Sequence, residues 1–160
     1  MPIHYLFELS TTNLCKTTHL CSMITRKEFY EFLKSIGGLT IQKSDLPCPI
    51  TFFGIECDEG WLELIVDLIR ELIEAGWTKE IVQIKESFGS LCFYANGTNN
   101  ACIEIIRKYE ARSKRICERC GSENNVALHD HHWLKTLCNQ CTAIWLDQQN
   151  RRLRGNFEEL

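Results

Sequence analysis

Phe29, Phe32, Leu33 and Ile36 recur three and four residues apart along TRKEFYEFLKSI, the spacing that puts apolar side chains on one face of an α-helix. Thr25 with Glu28 three residues later forms a capping box, and Ile24 and Phe29 stand at the staple positions around it. Gly37-Gly38 supplies the left-handed stop. A broader stripe of Trp61, Leu64, Ile65, Leu68, Ile69, Leu72 and Ile73 predicts a core helix from about Gly60 to Ala75, ended by Gly76. Between these helices, Leu39 to Gly60 has no period, and Pro47 and Pro49 force extended backbone. The pattern then changes: IVQIKESFGSLCFYANGTNN is β-branched and aromatic, and reads as two strands joined at Phe88-Gly89-Ser90. Thr98 or Asn99 can cap a third helix, Asn100 to about Ser113, with Ile103, Ile106 and Tyr109 on one side. Ahead of all this, Ile3, Tyr5, Phe7 and Leu9 alternate as in a strand, and a threonine-rich stretch follows. Residues 1–22 therefore read as an extension and 23–113 as a helix-helix-hairpin-helix core domain of α+β class.

A hydrophobic fraction of 44% over 160 residues supports a core without disulfide help. The greasiest run, WLELIVDLIRELIEAGW, is broken by five charged residues, so no membrane span is expected. MPIHYLFELSTT has no basic start, apolar centre or cleavage site, so no signal peptide is expected and the cytoplasm is the expected compartment. The net charge of −3 is uneven: residues 1–100 carry 8 basic and 13 acidic side chains, residues 101–160 carry 10 and 8. The basic excess lies in RKYEARSKRICER and in RRLR (Arg151 to Arg154), a mild anion-facing edge rather than the field of a dedicated nucleic-acid binder.

Ten cysteines change the picture more. Cys117 and Cys120, then seventeen residues, then Cys138 and Cys141 have the spacing of a four-thiolate zinc site, with an iron centre or free thiols as the alternatives. Gly121 follows the first pair, where a tight knuckle benefits from positive φ. Val126 to Leu128 and Leu134 to Leu137 predict a hairpin that returns the second pair to the first. CNQCTAIWLDQQNRRLRG reads as a helix closed by Gly155, with arginines toward the negative end of its dipole. A second cysteine pair on the first turn of a helix predicts a treble-clef-like finger over residues 114–160, its zinc structural because four thiolates leave no place for water. The other six, Cys15, Cys21, Cys48, Cys57, Cys92 and Cys102, sit among apolar neighbours and read as reduced, buried thiols. A second cluster from Cys15, His19 and Cys21 has irregular spacing and is disfavoured.

The finger also contains His129, Asp130, His131 and His132. VALHDHHW followed by LCNQC has the look of an HNH-type nuclease, in which histidines on a metal-braced hairpin activate water beside a catalytic cation. Three departures weigh against it. Only WLKTL separates His132 from Cys138, Thr142 stands where a further histidine would be expected, and Asn150 is the one late candidate ligand. The paired strands place the four residues at an exposed hairpin tip. No phosphate loop or serine elbow occurs. In GIECDEGW, Glu56, Asp58 and Glu59 read as a helix-capping loop, and acids beside Cys57 make it a poor nucleophile.

GIECDEGW with its long helix, VQIKESFGSLCFYANG, a further helix, CERCG and WLKTLCNQC, taken in order, resembles a group of small uncharacterised zinc-finger proteins of bacteriophages and prophages. The resemblance runs from about Met23 to Cys141, with IKESFGSLCFY and WLKTLCNQC its most distinctive parts. It supports Cys117, Cys120, Cys138 and Cys141 as metal ligands and implies no activity; residues 1–22 and HDHH depart from its usual pattern. The expected function is a non-enzymatic zinc-binding adaptor or regulator that binds a macromolecule, a protein in preference to nucleic acid, with a phage-derived modulator of a host process fitting the resemblance. A membrane or a small-molecule substrate is not implied. In the nucleic-acid alternative, Arg112, Lys114, Arg115 and Arg119 would contact phosphates.

Overall fold

The capping box forms as the sequence predicts: the Thr25 amide donates to the Glu28 carboxylate at 2.8 Å, and the Glu28 amide to the Thr25 hydroxyl at 3.2 Å. It starts helix α1, Arg26–Ile36, which buries Phe29 and Leu33. The structure is a computed structural model and describes residues 23–36, 40–41 and 55–155, the side chains of 40–41 and 153–155 excepted. The strand expected near the N-terminus, the Gly37-Gly38 stop, the Pro47 and Pro49 stretch and the Cys15, His19, Cys21 group lie outside the described residues.

Strand β1 (Thr40–Ile41) was not expected, since two residues are too few to show a period. It runs parallel to β2 (Glu80–Ser87), and β2 pairs antiparallel with β3 (Ser90–Asn96), giving the order β1-β2-β3. The β2–β3 turn consists of Phe88 at φ +52° and Gly89 at φ +73°, the left-handed pair that a two-residue hairpin with native twist requires. Helix α2 (Leu62–Glu74) follows a single 3-10 turn, Glu59–Trp61, and Gly76 ends it at φ +85°. Its broad apolar face is the centre of the core: Trp61, Leu62, Ile65, Leu68, Ile69 and Leu72 are fully buried against Phe29, Leu91 and Cys102.

Helix α3 (Asn100–Ser113) is capped by Asn99, whose side chain accepts from the Cys102 amide at 2.9 Å. Its inward face keeps Ile106 and Tyr109, as expected, and departs from the expected one at Ile103. Cys102, Tyr109 and Ser113 are buried, and Ile103 is exposed. The reason is the edge of β3, where the Leu91 amide donates to Ser113 Oγ at 2.9 Å and the Phe93 amide to the Glu110 carboxylate at 3.1 Å. The helix thus turns polar side chains toward an open sheet edge and satisfies its donors.

The chain then forms a second, two-stranded sheet, β4 (Val126–Asp130) with β5 (Leu134–Cys138), followed without a break by α4 (Asn139–Gly155). The fold is α+β, with the cysteine pairs at the start of this second unit and at the β5–α4 junction. No helix among the described residues is long and apolar enough to cross a membrane.

Ser113→Ala removes a fully buried acceptor and strands the Leu91 amide. The expected loss is about 1–3 kcal/mol of unfolding free energy, read from chemical denaturation.

Candidate metal centre

The Sγ atoms of Cys117, Cys120, Cys138 and Cys141 all lie within 4.8 Å of one another, and those of Cys120 and Cys138 are 3.7 Å apart. Sulfurs bound at roughly 2.3 Å around a tetrahedral ion sit about 3.8 Å from each other, whereas a disulfide holds them near 2.05 Å. The spacing therefore suits four ligands sharing one metal ion. Three of the four cysteines are buried and Cys120 is half-buried, so a bound ion would be shielded from water. In the protein alone, the neighbouring Cys117 and Cys120 thiols, and then burial, push the Cys141 thiol far above its ordinary value. A cation at the centre reverses this: it stabilises the thiolates, and binding releases their protons.

The first pair is held by a knuckle. The Gly121 amide donates to the Cys117 carbonyl and the Cys117 amide to the Ser122 carbonyl, each at 2.8 Å. Gly121 takes the positive φ expected of it, +72°. What the sequence did not disclose is the support under this knuckle. The Gly60 amide donates to the Glu118 carbonyl at 2.8 Å, and a Cβ on Gly60 would fall 2.4 to 2.5 Å from the Cys117 and Glu118 carbonyl oxygens and the Gly121 nitrogen. The Trp61 indole N–H donates to the Ile116 carbonyl at 2.8 Å. GIECDEGW is therefore the seat of the knuckle. Its acids also stand where a helix-capping loop puts them, Asp58 at the N-cap of the 3-10 turn and Glu59 in its first turn, but Asp58 makes no side-chain cap bond.

Glu118, one of the two residues inside the first Cys-x-x-Cys, is fully buried. Its carboxylate accepts two bonds from Lys135 Nζ, at 2.7 and 2.8 Å, and a third from the Asp58 amide at 3.2 Å. Burial pushes the Glu118 carboxyl above its ordinary value, with the Lys135 ammonium opposing. Burial also disfavours the Lys135 charge, but bonds and attraction from Glu118 outweigh it and hold Lys135 above its ordinary value. The backbone completes the joint, the Glu118 amide donating to the Thr136 carbonyl at 2.9 Å. Knuckle, acidic loop and β5 thus meet at one buried ion pair. No sequence signal marks Glu118, which occupies a variable position of an otherwise recognisable motif.

The histidines are not gathered at one point. Strand β4 runs to Asp130, so His129 lies inside the hairpin opposite Lys135, and the expectation that all of HDHH forms the tip is corrected. His129 Nε2 is 3.3 Å from the Leu137 carbonyl and 3.0 Å from Thr142 Oγ1, which itself donates to the Cys138 carbonyl. These contacts tie the ring to the β5–α4 junction, which it braces from β4. The His131 ring stands edge-on to Trp145 of α4, centroids 5.7 Å apart, and His132 occupies the turn at φ +66°. Among the described residues, the four cysteines form the metal-capable group of such side chains.

The basic residues are also variously engaged. The Arg112 guanidinium lies 5.0 Å from the centre of the Tyr109 ring, and Arg119 donates to Gln148 at 3.3 Å beside a cleft of about 470 Å³. Lys114 and Arg115 are exposed. Cys57 is buried, with its thiol pushed up to about 12 by burial and then by the Glu118 charge. Its poor nucleophilicity thus comes first from lost solvation, ahead of the charge argument made from sequence. Comparison with protein-family models, with curated proteins and with solved structures finds no match for this chain.

Gly60→Ala is expected to cost at least about 2 kcal/mol, because three backbone atoms would have to move, and to weaken metal retention in competition with a chelator. Lys135→Ala leaves a buried carboxylate unpaired, at a cost of about 3–5 kcal/mol near neutral pH. The sign with pH follows from linkage. With Lys135 gone the Glu118 carboxyl rises further, so the folded variant takes up a proton at a pH where the unfolded chain does not. Its deficit relative to the parent should narrow as pH falls from 8 toward 6, measured by denaturant melts at each pH.

Proposed function

We propose that this protein is a non-enzymatic zinc-binding adaptor or regulator, in which a treble-clef-like finger of knuckle, hairpin and helix holds one structural zinc ion and the surface binds a macromolecular partner, a protein in preference to nucleic acid. The observation that carries the reading is the closed, all-sulfur cluster at the joint between core and finger. Four thiolates around a tetrahedral ion leave no position for water or substrate, so such an ion serves cohesion rather than catalysis. Zinc suits the set because it has no geometric preference beyond the tetrahedron, and iron is the competitor for the same donors.

The surroundings of the cluster support a structural role. Glu118 and Thr142, the two buried polar side chains that adjoin a ligand in sequence, are spent on Lys135, His129 and backbone groups. A protein partner is favoured by the net charge of −3 and by the separate engagements of Arg112 and Arg119. The resemblance to small zinc-finger proteins of bacteriophages and prophages makes a modulator of a host protein, acting in the reducing cytoplasm where thiolates persist, the matching biological setting.

Purified protein should carry one zinc per chain by elemental analysis. Chelation should lower its melting temperature and open Cys117, Cys120, Cys138 and Cys141 to alkylation, with Cys57 and Cys102 staying protected in peptide maps. Acidification should release the metal, since protons compete for the same sulfurs. The function itself is tested by co-purification from cells with and without chelator. A protein recovered only with the metal-loaded form supports the adaptor reading. Nucleic acid retained with a steep salt dependence, and lost on joint Lys114→Ala and Arg115→Ala substitution, would replace it.

A further inference from the structure

Two edges of this fold are treated differently. At β3 the outward amides of Leu91 and Phe93 are satisfied by Ser113 and Glu110 of α3. At β4, among the described residues, no strand borders the side away from β5 and no backbone group beyond the hairpin bonds to Val126–Asp130. An unpaired strand edge is a template for another chain unless something covers it.

On this hairpin and on the β2–β3 turn that packs against it lie three of the large apolar side chains that the described surface exposes: Phe88 at 80%, Trp133 at 62% and Leu128 at 56%. They belong together. Leu128 packs on Gly89, so closely that a Cβ there would lie 2.1 Å from its Cδ1, and Trp133 Nε1 donates to the Glu86 carboxylate at 3.2 Å. Phe88 sits on the same turn, between Glu86 and Gly89. Each exposed aromatic offers on the order of 100–150 Å² at these exposures, so the patch comes to about 400 Å², the size at which an apolar patch on a monomer is commonly functional. Phe88 adds a second observation. A bulky residue at φ +52° is an uncommon and unfavourable choice where Asn or Gly would fit, and here the ring is directed into solvent. Local strain of this kind concentrates at binding sites.

The charge beside the patch specifies the occupant. Glu86 is bonded only to neutral donors, the Trp133 indole and the Gly89 amide. Asp130, which shares a strand face with Leu128 two residues before it, is exposed and has no ion-pair partner among the described residues. Lys135 feels the Glu86 charge but is already bonded to Glu118, so the two carboxylates still favour lysine or arginine over phosphate. We infer that β4 and the Phe88, Leu128 and Trp133 patch form a docking surface for an extended segment of a partner protein, one that adds as a strand to β4 and carries apolar and basic side chains together on the face that meets Leu128 and Asp130. This rests on the adaptor reading and gives it a place on the surface.

The test uses the metal-loaded full chain and short labelled peptides in which every second residue is valine, tyrosine or lysine with threonine between, so that apolar and basic side chains share one strand face, with matched peptides carrying glutamate in place of lysine. The lysine series should bind at least about tenfold more tightly than the glutamate series. Phe88→Asn and Trp133→Ala should each weaken binding by a similar factor. Phe88→Asn should hold or raise the melting temperature, since Asn relieves the turn, so loss of binding cannot be laid to misfolding. Equal binding of both series, or of neither, would overturn the inference. So would a single-stranded oligonucleotide that occupies the patch and is lost in the same variants, or a homodimer that Phe88→Asn dissociates. A cellular partner that binds these variants undiminished would leave the adaptor reading standing and remove this surface from it.

Discussion

Gly60 has no side chain, and for that reason a cysteine knuckle can lie backbone against backbone on the turn that leads into α2. The rest of the molecule is arranged around this contact. On one side, Trp61 continues into the helix that the whole core packs against, while its indole reaches the chain just before Cys117. On the other side, the knuckle fixes Glu118, and through it Lys135 and the strand that delivers Cys138. Three segments far apart in sequence are therefore in register before any metal is considered. Main-chain groups this close cannot be rearranged by a rotamer change, which makes the joint stiff as well as specific.

The Glu118–Lys135 pair is an instructive choice of glue. An apolar pair of the same volume would be at least as stabilising, because taking both charges out of water offsets much of their attraction. A buried carboxylate with fixed donors does supply direction. It accepts from the Asp58 amide on the loop and from Lys135 on β5, and so aligns both on the knuckle. The sulfurs then need only small adjustments to meet one ion.

The sequence disclosed those features that repeat or that use specialised residues. The α2 stripe, the Thr25–Glu28 box, the Phe88-Gly89 turn and the two cysteine pairs all have local causes, and all are where local reasoning placed them. The failures share a different cause. The burial of Ser113 on α3 is set by the amides of β3, the seat at Gly60 by a knuckle near residue 120, and the role of His129 by Thr142 across the β5–α4 junction. Each is a long-range contact of single residues, which leaves no period and no motif. HDHH drew attention by its chemistry, yet its first histidine is a brace and its third lies in a turn.

The bonds from Gly60, Trp61 and Asp58 also bear on what counts as the smallest self-sufficient piece of this protein. A finger excised near residue 114 would keep all its sulfurs and lose the floor they stand on, exposing Ile116 and the Glu118 carboxylate. A core shortened at the same point would bare the face of Trp61. Transplantation between proteins, whether by recombination or by engineering, should thus move the two together. The four cysteines look like a portable cassette in the sequence, but in the folded chain they are the far wall of a single room.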